Sequence, residues 1–137
     1  MTDIAPLRRA LTFGAWTIFG FGLVTALSVL PGVREVWGWL IDLVVWPLDG
    51  AEGGSRTDLR LLTAIAGGIC AGWGVTLLLL TGKPLEAAPE QVRRAFVAGY
   101  LGWFAVDSTA SILAGAPWNL LGNLAFLALL MLPLRGR

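Results

Sequence analysis

The sequence predicts an all-α integral membrane protein: a four-transmembrane-helix bundle with an amphipathic interfacial helix between helices 1 and 2. Three observations predict it. The 137-residue chain is 56% hydrophobic and only 14% charged, with a mean hydropathy of +0.74, whereas soluble domains carry about 25% charged residues. Four apolar stretches approach the roughly 20 residues that a helix needs to cross a bilayer. Between the first two lies a segment whose acids and tryptophans separate onto different sides of a helix, the pattern of a helix lying in a membrane surface.

The first span is "LTFGAWTIFGFGLVTALSVL", residues 11–30, stopped by Pro31-Gly32. "LRR" precedes it, as in a signal peptide. Its apolar run exceeds the roughly 7 to 15 residues of such peptides, so the segment is read as retained. The interfacial helix covers residues 33–46. Glu35, Asp42 and Asp49 fall seven apart and form one acidic stripe, read as a solvated face. Trp37, Trp39 and Trp46 are the interfacial anchors, since indoles prefer the boundary between water and hydrocarbon. "DGAEGGSRTD" then reads as a flexible turn.

The second span covers residues 61–80 and ends at Thr81-Gly82. Pro89-Glu90 opens the next helix, with Glu90 placed to pair with Arg94 at i,i+4. The third span covers 95–114 and the fourth, the shortest, 118–134, with Pro117 at its first turn. The short link "GAP" makes the last two spans antiparallel neighbours. Residues 1–137 thus form a single membrane domain.

Seven of the ten Lys and Arg residues fall on the side of the amino terminus: Arg8, Arg9, Lys83, Arg93, Arg94, Arg135 and Arg137. Basic loops stay inside, so both termini are expected in the cytoplasm of a multi-pass inner-membrane protein. The chain has no histidine, which removes the commonest general base and most zinc and haem ligation. Cys70 stands alone in an apolar run and reads as packing. No cofactor and no metal site are expected, and the net charge of +1 gives no basis for nucleic-acid binding.

Small residues recur at helical spacing. Gly14 and Gly22 lie on span one, Gly68 and Gly72 on span two between Ala64 and Thr76, and Gly99 and Gly115 on span three. Such stripes let helices approach closely, and packing is what holds helices together in lipid. All six glycines are expected at helix contacts, within the chain or against another protein.

"AVDSTASILAGAPWN" puts Asp107 inside the third span. Gly115 ends that helix eight residues later, so Asp107 lies roughly 12 Å below its end at 1.5 Å per residue. Asn123 reaches a similar depth on the returning helix. Asn119 lies one turn above Asn123, and Ser111 one turn above Asp107. The four define a predicted polar seam between spans three and four, with Trp103 one turn below. A charge in mid-bilayer costs at least about 2.5 kcal/mol and must face a partner or a cavity. Three roles fit Asp107: tying helices together, taking up a proton or cation during transport, or contacting a ligand or partner subunit. Ser108, Thr109 and Ser111 have no histidine or lysine nearby to activate them, which disfavours an enzyme.

"WPLDG", "AGWG" and "WFAVDSTASILAGAPWN", followed by a leucine-rich last span, resemble small four-helix bacterial inner-membrane proteins over Val33 to Arg137. The resemblance implies the fold and the bacterial inner membrane, and no activity. Small multidrug resistance transporters also have four spans, but their essential acid lies in the first, which here has none. Membrane-associated eicosanoid and glutathione proteins bind glutathione through charged groups inside the bundle that have no counterpart here. The leading expectation is a non-enzymatic accessory or assembly subunit of a larger inner-membrane complex, meeting lipid and other subunits or itself. The rival is a small homo-oligomeric transporter or channel using Asp107.

Overall fold

The computed structural model describes residues 4–45 and 57–135. Every element among them is helical: α1 (Ala5–Leu27), α2 (Val33–Asp42), α3 (Thr57–Leu80), α4 (Lys83–Ala87), α5 (Pro89–Leu113) and α6 (Asn119–Met131), closed by a 3-10 turn over Leu132–Leu134. Helices α1, α3 and α5 are long and apolar enough to cross a membrane, while the segment Asn119–Leu134 is shorter.

The three long helices begin earlier than the apolar runs. Helix α1 starts six residues before the predicted span, because Arg8 and Arg9 interrupt hydropathy without interrupting helical backbone. Arg8 donates to Glu86 Oε1 at 2.7 Å, joining the start of α1 to α4. This exposed pair contributes at most about 1 kcal/mol. Helix α5 starts at Pro89, and Arg94 Nε meets Glu90 Oε1 at 2.9 Å across one turn. At the other end of the molecule Arg60 Nη2 donates to the carbonyl of Val29 at 3.0 Å, satisfying an acceptor just beyond α1.

Two helix pairs make the architecture. The most extensive contact is α1 with α3, followed by α5 with α6. At the α1–α3 crossing the backbones touch. A Cβ on Gly22 would meet the backbone of Cys70 and of Gly67 at 2.8 Å, one on Gly67 would meet the backbone of Ala26, and one on Gly74 the backbone of Phe19. Glycine is required there by space.

The apolar core lies at the end that carries the first turns of α1. It gathers Leu11, Ala15 and Ile18 of α1, Leu77 of α3, Leu85 of α4, Phe96 and Tyr100 of α5, and Leu130. Towards the other end aromatic rings take over. Phe21 of α1 lies 5.3 Å from Phe126 and 5.8 Å from Trp37, and Trp103 lies 5.5 Å from Phe126. Of the three long helices α1 is the central one, with 39% of its apolar window buried against 17% for α3 and for α5.

Several expectations need correction. Gly68 and Gly72 make no helix contact within the chain, since a Cβ on either would meet nothing within 4 Å among the described residues. The glycines of α3 that face α1 are Gly67 and Gly74. With Ala71 they follow steps of four and three residues, which keep a nearly straight seam along a helix. The strict four-residue stripe from Ala64 drifts around it. Gly115 also packs on nothing within 4 Å; its φ of +83° reverses the chain at the end of α5. Gly14 does sit at a contact, but with a side chain, the Tyr100 hydroxyl, and Gly99 faces the Trp73 indole, 3.2 Å from where its Cβ would be.

On α2, Trp39 is exposed and Trp37 turns onto Phe21. Glu35 is exposed but Asp42 is buried, against the expected solvated stripe. Seven-residue spacing sets a common face; it does not say how far along that face the protein covers the helix. Asp49 and Trp46 lie outside the described residues.

The Tyr100 hydroxyl is buried without a hydrogen-bond partner among the described residues, and Gly14 leaves room for it. An unpaired buried hydroxyl costs about 1 to 3 kcal/mol, so Tyr100→Phe is expected to raise the unfolding free energy by about 1 kcal/mol. A Cβ at Gly14 would also lie 3.4 Å from the ring carbon, an ordinary contact. Gly14→Ala is therefore expected to destabilise the native protein and to be tolerated in Tyr100→Phe. Denaturant titration of the two single variants and the double variant checks both. Equal costs of Gly14→Ala in the two backgrounds would refute the account.

Candidate functional site

The α5–α6 turn builds the site. Gly115 adopts the left-handed conformation that only glycine takes readily. Its N–H donates to Ile112 O at 3.1 Å and the N–H of Ala116 to Ser111 O at 2.9 Å, so the last carbonyls of α5 are satisfied as the chain turns. Asn119 N and Leu120 N then bond back to Ala116 O and Pro117 O, each at 3.1 Å, opening α6 immediately. The hairpin sets the first two turns of α6 against the last two of α5.

All four predicted seam residues come together. Asn123 Nδ2 donates to Asp107 Oδ2 at 2.6 Å and to Ser108 Oγ at 3.1 Å. Asn119 Nδ2 donates to the same Asp107 oxygen at 3.2 Å and to Ser111 Oγ at 2.8 Å. Each amide has two N–H donors, so all four are engaged. A carboxylate oxygen only accepts, which is why both amides turn their nitrogens towards it. Asn123 and Ser108 are buried; Asp107, Ser111 and Asn119 are half-buried. One turn below, the Trp103–Phe126 contact forms an aromatic floor.

Sequence reasoning left Ser108 out of the seam. It follows Asp107 directly, about 100° further round the helix, and a search at one-turn spacing passes over it. The signal was the run Asp107, Ser108 and Ser111, polar at i, i+1 and i+4. Together these cover the broad face that a neighbouring helix contacts.

The arrangement is rich in acceptors. Each serine oxygen accepts one amide N–H and Asp107 Oδ2 accepts two. Among the described residues Asp107 Oδ1 accepts no side-chain hydrogen bond, and no cationic side chain pairs with Asp107. No group of three His, Cys, Asp or Glu residues able to hold a metal occurs among them either. The seam can therefore lock α5 to α6, and it can offer a carboxylate oxygen to a donor or cation from outside. Compared with protein-family models, curated proteins and solved structures, the chain finds no match.

Proposed function

We propose that this protein is a non-enzymatic accessory or assembly subunit of a larger complex in the bacterial inner membrane. In this reading α1, α3 and α5 cross the bilayer, and Asn119–Leu134 makes a fourth, short crossing. Both termini lie in the cytoplasm, and α2 rests in the outer interface. One observation carries the proposal. Ala64, Gly68, Gly72 and Thr76 form a small-residue stripe on α3, and a Cβ on either of its glycines would meet nothing within 4 Å among the described residues. The chain's own α1–α3 contact uses a different set of small residues. A flat stripe of this kind suits the close approach of another helix, and the small buried share of α3 leaves the face open to one.

The test is to extract the protein in mild detergent and weigh the particle by native mass spectrometry. A stoichiometric foreign subunit is expected. Gly68→Leu with Gly72→Leu is expected to release it while leaving the thermal midpoint of the isolated protein unchanged, because both side chains would point into open space. Retention of the subunit by the double variant would show that the stripe does not hold it.

A second reading rests on Asp107 Oδ1, which accepts no side-chain hydrogen bond among the described residues: a small homo-oligomeric transporter taking a proton or cation at the seam. It requires a bare homo-oligomer in the same measurement and solute flux in liposomes that Asp107→Asn abolishes.

A further inference from the structure

The groove where the start of α1 meets the carboxy-terminal turn carries chemistry that the subunit reading does not use. It measures about 340 Å³ and is lined by Pro6, Arg9, Ala10, Phe13 and Pro133. Its lining is mixed: Arg9 supplies the one charge, and Pro6, Ala10, Phe13 and Pro133 supply the apolar part. Arg9, Phe13 and Trp16 follow at four- and three-residue steps, so they rise along one side of α1. All three are exposed, Phe13 by 46% and Trp16 by 56%.

The cations nearby differ in what neutralises them. Arg8 is held by Glu86, and Arg93 and Arg94 share Glu90. Arg9 has no acidic partner among the described residues. Neither has Arg135, exposed two residues beyond Pro133. A guanidinium with no acidic partner among the described residues, beside the exposed rings of Phe13 and Trp16, matches a molecule with a negative head and a hydrocarbon tail. Guanidinium binds phosphate oxygens through paired N–H donors, and basic pockets at the cytoplasmic ends of membrane helices take anionic lipid headgroups.

We infer that this groove binds one anionic phospholipid, its phosphate on Arg9 and an acyl chain along Ala10, Phe13 and Trp16. The inference rests on α1 crossing the membrane with its amino terminus on the cytoplasmic side, and it is independent of any partner on α3. The lipid would seal the joint between α1 and the carboxy-terminal turn.

The experiment uses the full chain in detergent, titrated with phosphatidylglycerol or with phosphatidylcholine of the same acyl chains, and counts lipid adducts by native mass spectrometry. One phosphatidylglycerol is expected to be retained in preference to phosphatidylcholine. Arg9→Gln should weaken it about fivefold, the effect of one basic residue at an anionic surface. Arg9→Lys should weaken it less. Arg94→Gln, which removes a cation already paired with Glu90, should leave it unchanged. Equal retention of the two lipids, or equal losses in Arg9→Gln and Arg94→Gln, would overturn the site. Displacement by millimolar inorganic phosphate would also overturn it, by showing a phosphate site without a lipid chain. Lipid adducts and a foreign subunit differ in mass, so this result and the subunit result are read separately.

Discussion

Gly67→Ala is expected to destabilise the native protein by about 2 to 3 kcal/mol, the upper part of the range for overpacking a close-packed site, while Gly68→Ala next to it has no measurable cost. The two glycines are neighbours on α3 and differ only in what they face. A Cβ on Gly67 would meet the backbone of Ala26, with the Ala26 Cα at 2.7 Å. Backbone cannot rotate aside as a side chain does, so α1 and α3 must separate over the whole crossing, including the Gly22 and Gly74 contacts. A Cβ on Gly68 would enter space with nothing within 4 Å. Unfolding in mixed micelles with increasing dodecyl sulfate, followed by tryptophan fluorescence, gives both values. Similar costs at the two positions would mean that α1 and α3 meet in a different register.

The second large effect concerns the seam. Asp107→Ala is expected to cost about 2 kcal/mol, because it leaves one N–H of Asn119 and one of Asn123 without an acceptor, and a buried donor left unsatisfied costs about 1 to 3 kcal/mol. Asp107→Asn keeps an oxygen at that position and is expected to cost less than half as much. Asn123→Ala removes the 2.6 Å bond to Asp107 and the 3.1 Å bond to Ser108 together. The double variant Asp107→Ala with Asn123→Ala should therefore be less destabilised than the two single costs added, by about 1 kcal/mol, within the range of hydrogen bonds measured between membrane helices. Additive costs would show that the contact carries no energy. The same Asp107→Asn variant separates the functional readings, since a subunit tied together by the seam keeps its partner while a proton- or cation-coupled transporter loses flux.

The seam was legible in the sequence because its information is local. Asp107 and Ser111 are four apart on one helix, Asn119 and Asn123 four apart on the next, and Gly115-Ala116-Pro117 is too short to do anything but fold one helix back on the other. Depth along each helix then follows from the rise per residue. The helical class and the three long apolar helices were legible for the same reason, since composition and run length are properties of the chain alone.

What only the tertiary structure decided is which faces meet. Helix α3 carries two small-residue stripes, Ala64–Gly68–Gly72–Thr76 and Gly67–Ala71–Gly74, and each alone satisfies the spacing rule for close packing. The choice belongs to α1, whose Phe19, Gly22 and Ala26 accept the second stripe, and no property of α3 announces it. Asp42 gives the same lesson: a seven-residue repeat with Glu35 fixes a shared face, while burial at one end depends on what the rest of the chain lays over it. Periodicity is set by the geometry of one helix. Contact is set by the complementarity of two, and that exists only once both are in place.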